Sequence, residues 1–342
     1  MIKEEQLEEI RKALKESINP LFLFDDDPDG TCSYLILKKH YKKGYGKAIK
    51  TSPALNSTHV HYAEEDNHDL IIILDKPLVD QDFFDTIKRK TIWIDHHPPQ
   101  ERTNVQYYNP RINDDKDARP TTYWAYKIAK TNMWIAMLGC IADYHVPDFT
   151  EEFRKEYPDL ITAEPKDPGD VRYNMPFGKL IQLISFNTRG KTSEVRKFIN
   201  NMEKTESPYE ILNQTTKPGK QIWERGEILK KEYERLLEQA KKSITKEKLC
   251  YFLYPNTHTS YTSDLSNELI YNNPNKIIIV GRESQEDVKM SIRSTGLILP
   301  PILEESLKGL EGHSGGHDNA CGCMVKINDF DEFIERMKKL IG

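Results

Sequence analysis

Three short apolar runs in the first hundred residues each end on an aspartate: LFLF (21 to 24) on Asp25, LIIIL (70 to 74) on Asp75 and TIWI (91 to 94) on Asp95. Runs of this length, without polar alternation and separated by helical patterns, read as strands buried on both faces of a mainly parallel sheet. The helical patterns fall at about 31 to 43, 80 to 89, 119 to 130 and 133 to 142, after an N-terminal amphipathic segment with Ile2, Leu7, Ile10 and Leu14 along one face. In an open sheet of this kind the carboxyl ends of the strands border the ligand crevice, so three acids at three strand ends point toward one cleft.

A chain of 342 residues is long enough for two domains. The expected class is α/β: a doubly wound, mainly parallel sheet over residues 1–200, a polar helical linker over 201–247, and a smaller α/β domain over 248–342. Ile222, Ile228, Leu229, Tyr233, Leu236 and Leu237 form the apolar stripe of the linker helix. Strands at 250–254, 276–281, 288–293 and 323–327 alternate with helices at about 263–271, 299–308 and 329–340. No uninterrupted apolar run approaches membrane-spanning length, and five irregularly spaced cysteines make no disulfide framework, so a cytoplasmic protein without a membrane partner is expected. The net charge of −5 argues against a protein that coats nucleic acid non-specifically; it leaves room for a local basic channel, and a homodimer stays open.

The first of the three strand ends reads LFLFDDDPDG. A calcium loop starting at Asp25 would place glycine at its sixth position, where Gly30 stands, and a bidentate glutamate at its twelfth, where Ile36 stands. The missing ligand, and the β-type segment in place of a preceding helix, exclude that reading. Asp29 or Thr31 capping the following helix accounts for one acid out of four. The rest repel one another unless a cation neutralises them. Asp26 should point away from its neighbours in an extended run and is not assigned to metal. Asp95, His96 and His97, with Asp75 and with Asp143 in GCIADYH, complete an oxygen-rich set with imidazoles and no thiolate, which suits Mn²⁺ or Mg²⁺ and has enough acids for two ions.

DDDPDGTCS (25 to 33), Asp75 after its strand, Asp95-His96-His97 and Asp143 in GCIAD resemble, in order, the four motifs of the DHH phosphoesterase superfamily in its RecJ-like form. SIRS (291 to 294) and GGHDNACG (315 to 322) resemble the motifs of the DHH-associated domain. The resemblance implies that Asp25, Asp27, Asp29, Asp75, His96 and Asp143 hold two divalent ions, usually Mn²⁺, with Asp75 bridging. Asp95 and His97 would lie beside them, His97 assisting proton transfer. It further implies that Arg293, Gly315, Gly316 and His317 grip substrate in a domain that closes over the metal cleft. The implied activity is exonuclease-like hydrolysis of single-stranded nucleic acid or short oligonucleotides. Short substrates are favoured because the chain has no room after its second domain for the oligonucleotide-binding fold of larger RecJ enzymes. Cyclic or linear dinucleotides, 3′-phosphoadenosine-5′-phosphate, and a non-catalytic role in replication machinery are the alternatives.

His313, His317, Cys321 and Cys323 lie close enough in sequence for a competing zinc site, although C-x-C is shorter than the usual spacing. Thr121 and Thr122 are expected to cap a helix. His59, His61, His68 and His145 are expected on the surface.

Overall fold

The computed structural model describes residues 1–50, 54–257 and 259–342. The chain forms two compact units, Met1–Glu227 and Ile228–Gly342. The expected α/β class holds for both, each carrying a five-stranded sheet.

In the first unit β1 (Pro20–Asp25), β2 (Tyr45–Ile49), β3 (Leu70–Leu74), β4 (Lys90–Ile94) and β5 (Gln106–Tyr108) are parallel, in the order β2-β1-β3-β4-β5. The two-residue period of the strands sends Phe22, Phe24, Ile72, Leu74 and Ile94 into one core and Leu21, Leu23, Ile71, Ile73 and Trp93 into another on the opposite face. Helices α1 (Glu4–Glu16) and α2 (Pro28–Tyr41) contribute to the first core; α3 (His61–Glu64) and α4 (Gln81–Thr86) contribute to the second. The first core also takes in α5 (Thr121–Ala129), α6 (Met133–Ala142), α7 (Thr150–Glu156), α8 (Pro168–Asn174), α9 (Phe177–Asn187), α10 (Thr192–Glu203) and α11 (Pro208–Leu212). Strands β2 and β5 were not expected, because YGKAI and QYY lie at the sheet edges, largely exposed, and lack the apolar run that marks the central strands.

The chain leaves β1 for β2 on one side and returns to β3 on the other, so the topological switch lies between β1 and β3. Phe24, Leu74 and Ile94 stand level across the sheet. Asp25, Asp75 and Asp95 therefore emerge side by side at that switch.

Helix α12 (Lys217–Lys242) begins in the first unit and ends in the second. Residues 201–227, expected within the linker, belong to the first unit, with Met202, Ile211 and Ile222 in its core. Ile228 departs from the expected stripe: it is 69% exposed, whereas Tyr233, Leu236 and Leu237 are buried.

The second unit orders its strands β6 (Leu249–Pro255), β7 (Ile277–Glu283), β8 (Asp287–Ser294), β10 (Ala320–Lys326) and β9 (Gly312–His317), with only β6 and β7 parallel. Ile277, Ile279, Met290, Ile292, Cys321, Cys323 and Val325 face a core shared with α14 (Leu299–Leu307) and α15 (Phe330–Ile341), while α13 (Thr262–Asn272) packs on β7 and β8. The segment GHSGGH, expected as a substrate loop, is the edge strand β9. Among the described residues no helix is long and apolar enough to cross a membrane.

Candidate metal centre

Strand β1 passes into α2 within two residues, and local chemistry dictates how. The acid that caps α2 is Asp27, not Asp29 or Thr31: its side chain accepts from the Gly30 amide at 2.9 Å, and Pro28 takes the first helical position, where a missing N–H costs nothing. A Cβ on Gly30 would sit 2.5 Å from the Asp25 carbonyl oxygen. Only glycine lets the first turn of α2 lie against the end of the strand.

Asp29 is held by another helix. The amides of Thr121 and Thr122, at the start of α5, donate to its two carboxylate oxygens at 2.8 and 2.7 Å, and the Thr122 hydroxyl donates to its carbonyl at 2.9 Å. The expectation that these threonines cap α5 is thus corrected: its N-cap is Pro120, and their polar groups reach Asp29 and Asp75. A helix N-terminus stabilises an anion placed on it.

Asp75 leaves β3 in the left-handed region, at φ +59°. That conformation costs a non-glycine residue on the order of 1–2 kcal/mol, which the fold sustains through the amide bond to the Ile94 carbonyl at 2.9 Å and the Thr121 hydroxyl on Oδ1 at 3.2 Å. The His96 Nε2 lies 3.3 Å from Asp75 Oδ1, 3.6 Å from Asp143 Oδ2 and 3.7 Å from Asp29 Oδ2. Its Nδ1 faces the Ala118 carbonyl at 3.2 Å, so Nδ1 carries a proton and Nε2 is the ring nitrogen turned to the acids. Two sets of ligand atoms, Asp75-His96-His97 and Asp29-His96-Asp143, come within 4.8 Å of one another.

Asp95 behaves differently. It is fully buried and accepts from His97 Nδ1 at 2.8 Å, from the His97 amide, the Tyr107 hydroxyl and Asn109 Nδ2 at 3.2 Å. Burial works against a charged His97, but the bond to Asp95 and its negative charge outweigh it, and the imidazole pKa ends raised.

The remaining acids carry an electrostatic burden. Burial, then the charges of Asp25 and Asp29, push Asp27 up to about 8; burial raises Asp143 to about 7 against the pull of His96; burial and four neighbouring aspartates hold Asp75 well above the carboxylate range. Asp26 is raised to about 6 by burial and by Asp25, against the pull of Lys76 and Lys50; its carboxyl hydrogen-bonds that of Asp25, so it does not point away from its neighbours as expected. Lys76, which sequence reasoning missed, is fully buried: its Nζ donates to Asp25 Oδ2 at 3.0 Å and to the Lys50 and Ile49 carbonyls at 2.8 and 3.3 Å. Nothing in the pattern DKP distinguishes this lysine from an exposed one.

Carboxylates crowded around an imidazole, with no thiolate, fit a hard divalent cation of the Mn²⁺ or Mg²⁺ type. Cys32 and Cys140 lie nearby but are buried, and burial pushes both thiols up, away from the ligating thiolate.

In the second unit Arg293 sits on β8 opposite Ala320, which in turn pairs with His317; Ser291, Gly322 and Gly315 form the next row. Side chains in register share a face, so Arg293, Gly315 and His317 are on one side of this sheet. Arg293 is anchored by Asn267 at 2.6 Å and Ser263 at 3.0 Å. Gly315 has open space where a Cβ would be; Gly316 needs glycine for its own φ of +146° and for the Ala320 carbonyl beside it. The same register excludes the zinc alternative. Cys321 and Cys323 face the core, whereas His313 and His317 pair with Met324 and Ala320, whose side chains point the other way. Two surface expectations also fail: His68 is buried with Nδ1 against the Asn19 carbonyl, and His145 is half-buried beside Tyr123.

A family model described as the DHHA1 domain matches residues 246–342. No curated protein sequence matches the chain. Its structure is similar to that of RecJ in complex with Mn²⁺ from Thermus thermophilus (TM-score 0.69, 16% identity, 98% of this chain and 54% of that one). It is also similar to an exonuclease RecJ bound to manganese (0.67, 14%, 99% and 94%) and to the pGpG-specific phosphodiesterase PggH from Vibrio cholerae (0.54, 15%, 94% and 98%). The chain spans about half the length of the Thermus protein.

Proposed function

We propose that this chain, which carries a DHHA1 domain over residues 246–342 and a fold like that of RecJ, is a DHH-type divalent-metal-dependent phosphoesterase acting on single-stranded nucleic acid or short oligonucleotides from an end. The observation that carries this reading is the convergence of Asp29, Asp75 and Asp143 on His96 Nε2 at the switch point of the parallel sheet. Asp25, Asp27, Asp29, Asp75, His96 and Asp143 would hold two Mn²⁺ ions, or Mg²⁺. When bound, such ions acidify water and neutralise charge building on phosphoryl oxygens.

The chain's own groups do the rest. Asp95 fixes the proton of His97 on Nδ1, which leaves Nε2 as the atom that exchanges a proton with the leaving oxygen. Asp29 keeps its aim through α5, and Lys76 holds Asp25 at the edge of the cluster. The unit Met1–Glu227 would carry the chemistry and residues 248–342 of the second unit the substrate grip. There Arg293, its guanidinium held by Asn267, Ser263 and the Ile292 and Cys321 carbonyls, would lend a fixed positive charge to a phosphate, and Gly315 and His317 border the face beside it. A cytoplasmic setting agrees with this role.

The similarity to PggH, 98% of which is covered, supports a second substrate reading, a linear dinucleotide. Incubation with Mn²⁺ and labelled short RNA, DNA, dinucleotides and 3′-phosphoadenosine-5′-phosphate tests both. Release of mononucleotide from the oligonucleotides supports the first; turnover confined to dinucleotides or 3′-phosphoadenosine-5′-phosphate moves the substrate class. Asp75→Asn should lose both turnover and bound manganese. No turnover of any substrate, with Asp75→Asn holding as much metal as the wild type, would sink the enzyme reading.

A further inference from the structure

Helix α6 ends in an unusual way beside the acidic cluster. The Tyr144 amide donates to the Ile141 carbonyl at 3.1 Å and the His145 amide to the Cys140 carbonyl at 2.8 Å. These are the two bonds of the helix-ending motif whose left-handed position is ordinarily glycine. Here that position is Tyr144, at φ +56°. A bulky side chain in this region is uncommon and disfavoured. The ring that the position carries is 45% exposed, next in sequence to Asp143.

The ring is held in place. The Arg172 guanidinium lies 4.9 Å from its centroid and donates to the Ala142 carbonyl at 2.8 Å, and the Tyr144 and Tyr173 hydroxyls are 3.0 Å apart. Asp143 is thus bracketed by a carbonyl that anchors an arginine and by an aromatic ring that the same arginine steadies. A rigid ring with solvent-facing area offers stacking at little entropic cost, and a nearby guanidinium suits a phosphate.

We propose that Tyr144, braced by Arg172 and Tyr173, is a stacking platform for an unpaired nucleobase of the substrate, beside the candidate metal ligand Asp143. The platform accepts any base, since every base has a π-face, and it favours nucleotides over substrates without a base. The inference rests on the proposed phosphoesterase reading and narrows its substrate class.

The test uses the full chain and a fluorescein-labelled five-nucleotide DNA, intact or abasic at its 5′ or its 3′ terminal position. Binding is read by anisotropy with Ca²⁺ in place of Mn²⁺, and hydrolysis is read separately with Mn²⁺. In the wild type, one of the two abasic probes should bind at least about fivefold more weakly than the intact one. Tyr144→Gly should bind the intact DNA weaker by a similar factor and lose the discrimination, while Tyr144→Phe restores it. Glycine suits the left-handed position, so Tyr144→Gly should melt no lower than the wild type; if it does, Tyr144→Asn, which also tolerates that conformation, takes its place. Equal affinity of the glycine variant for intact DNA, or an equal loss on intact and abasic DNA, overturns the proposal. Base- and Tyr144-dependent binding without any hydrolysis would uphold the platform and remove short DNA from the substrates of the enzyme reading; hydrolysis and binding indifferent to Tyr144 would overturn the platform and leave that reading standing.

Discussion

Asp25, Asp29 and Asp95 on one hand, and Asp27, Asp75 and Asp143 on the other, look alike in the sequence and differ in what the fold does about their charge. Asp25 has the Lys76 ammonium, Asp29 two amides at the start of a helix, and Asp95 an imidazole, an amide, a phenol and a carboxamide. Asp27, Asp75 and Asp143 are all displaced upward, to about 8, well above the usual range and to about 7. The protein offsets the charge of the first set; in the second, the Gly30 amide on Asp27, the Thr121 hydroxyl on Asp75 and the His96 imidazole beside Asp143 leave a burden that a cation would relieve. The distinction grades how much of each acid's charge the fold offsets before any metal binds.

The largest expected effect comes from removing an acid of the second set. Asp27→Ala should lose manganese and reduce hydrolysis by at least about a hundredfold, as loss of a group that stabilises developing charge does. Asp26→Ala, which removes a carboxylate outside the groups gathered on His96, should retain most of the activity and metal; equal losses in the two variants would erase the contrast.

Next in size is the compensated pair. Lys76→Met leaves Asp25 buried without its cation and should lower stability to chemical denaturation by about 3–5 kcal/mol, whereas Asp25→Asn/Lys76→Met should recover part of that. A double variant as unstable as the sum of the single ones would show that the pair is not the source of the cost.

The smallest effect is on pH dependence. Acids whose folded pKa lies above the unfolded value contribute stability that is present below about 4 and is lost as the pH rises through the folded value. With chelator present, the melting temperature should therefore fall by a few degrees between about pH 5 and pH 8, the window set by Asp143 and Asp27. Saturating Mn²⁺ should flatten the fall, because it binds the ionised form. A melting temperature independent of pH in chelator would remove the second set from the comparison.

Much of the frame was legible. LFLF, LIIIL and TIWI announce central strands because burial on both faces demands apolar residues at every position, and the acids that follow mark the strand ends. Edge strands β2 and β5 were illegible, being short and half-solvated, and so was β9, whose glycines and exposed polar residues carry no strand pattern. His68, His145 and Lys76 were misjudged or missed for a shared reason: burial of a polar side chain depends on partners far away in sequence, such as the Ile49 and Lys50 carbonyls around Lys76.

The sequence by itself determined the sheet's central strands, the capping turn that glycine allows at Gly30, and the positions of the acids along the chain, because these follow from side-chain chemistry within a few residues. Tertiary structure alone decided which acids share a partner, that α5 aims Asp29, that the two cysteines and two histidines of the competing zinc site lie on opposite faces of one sheet, and that Tyr144 stands where a glycine would. Those outcomes depend on strand register and on contacts across a hundred residues, and local spacing carries no record of them.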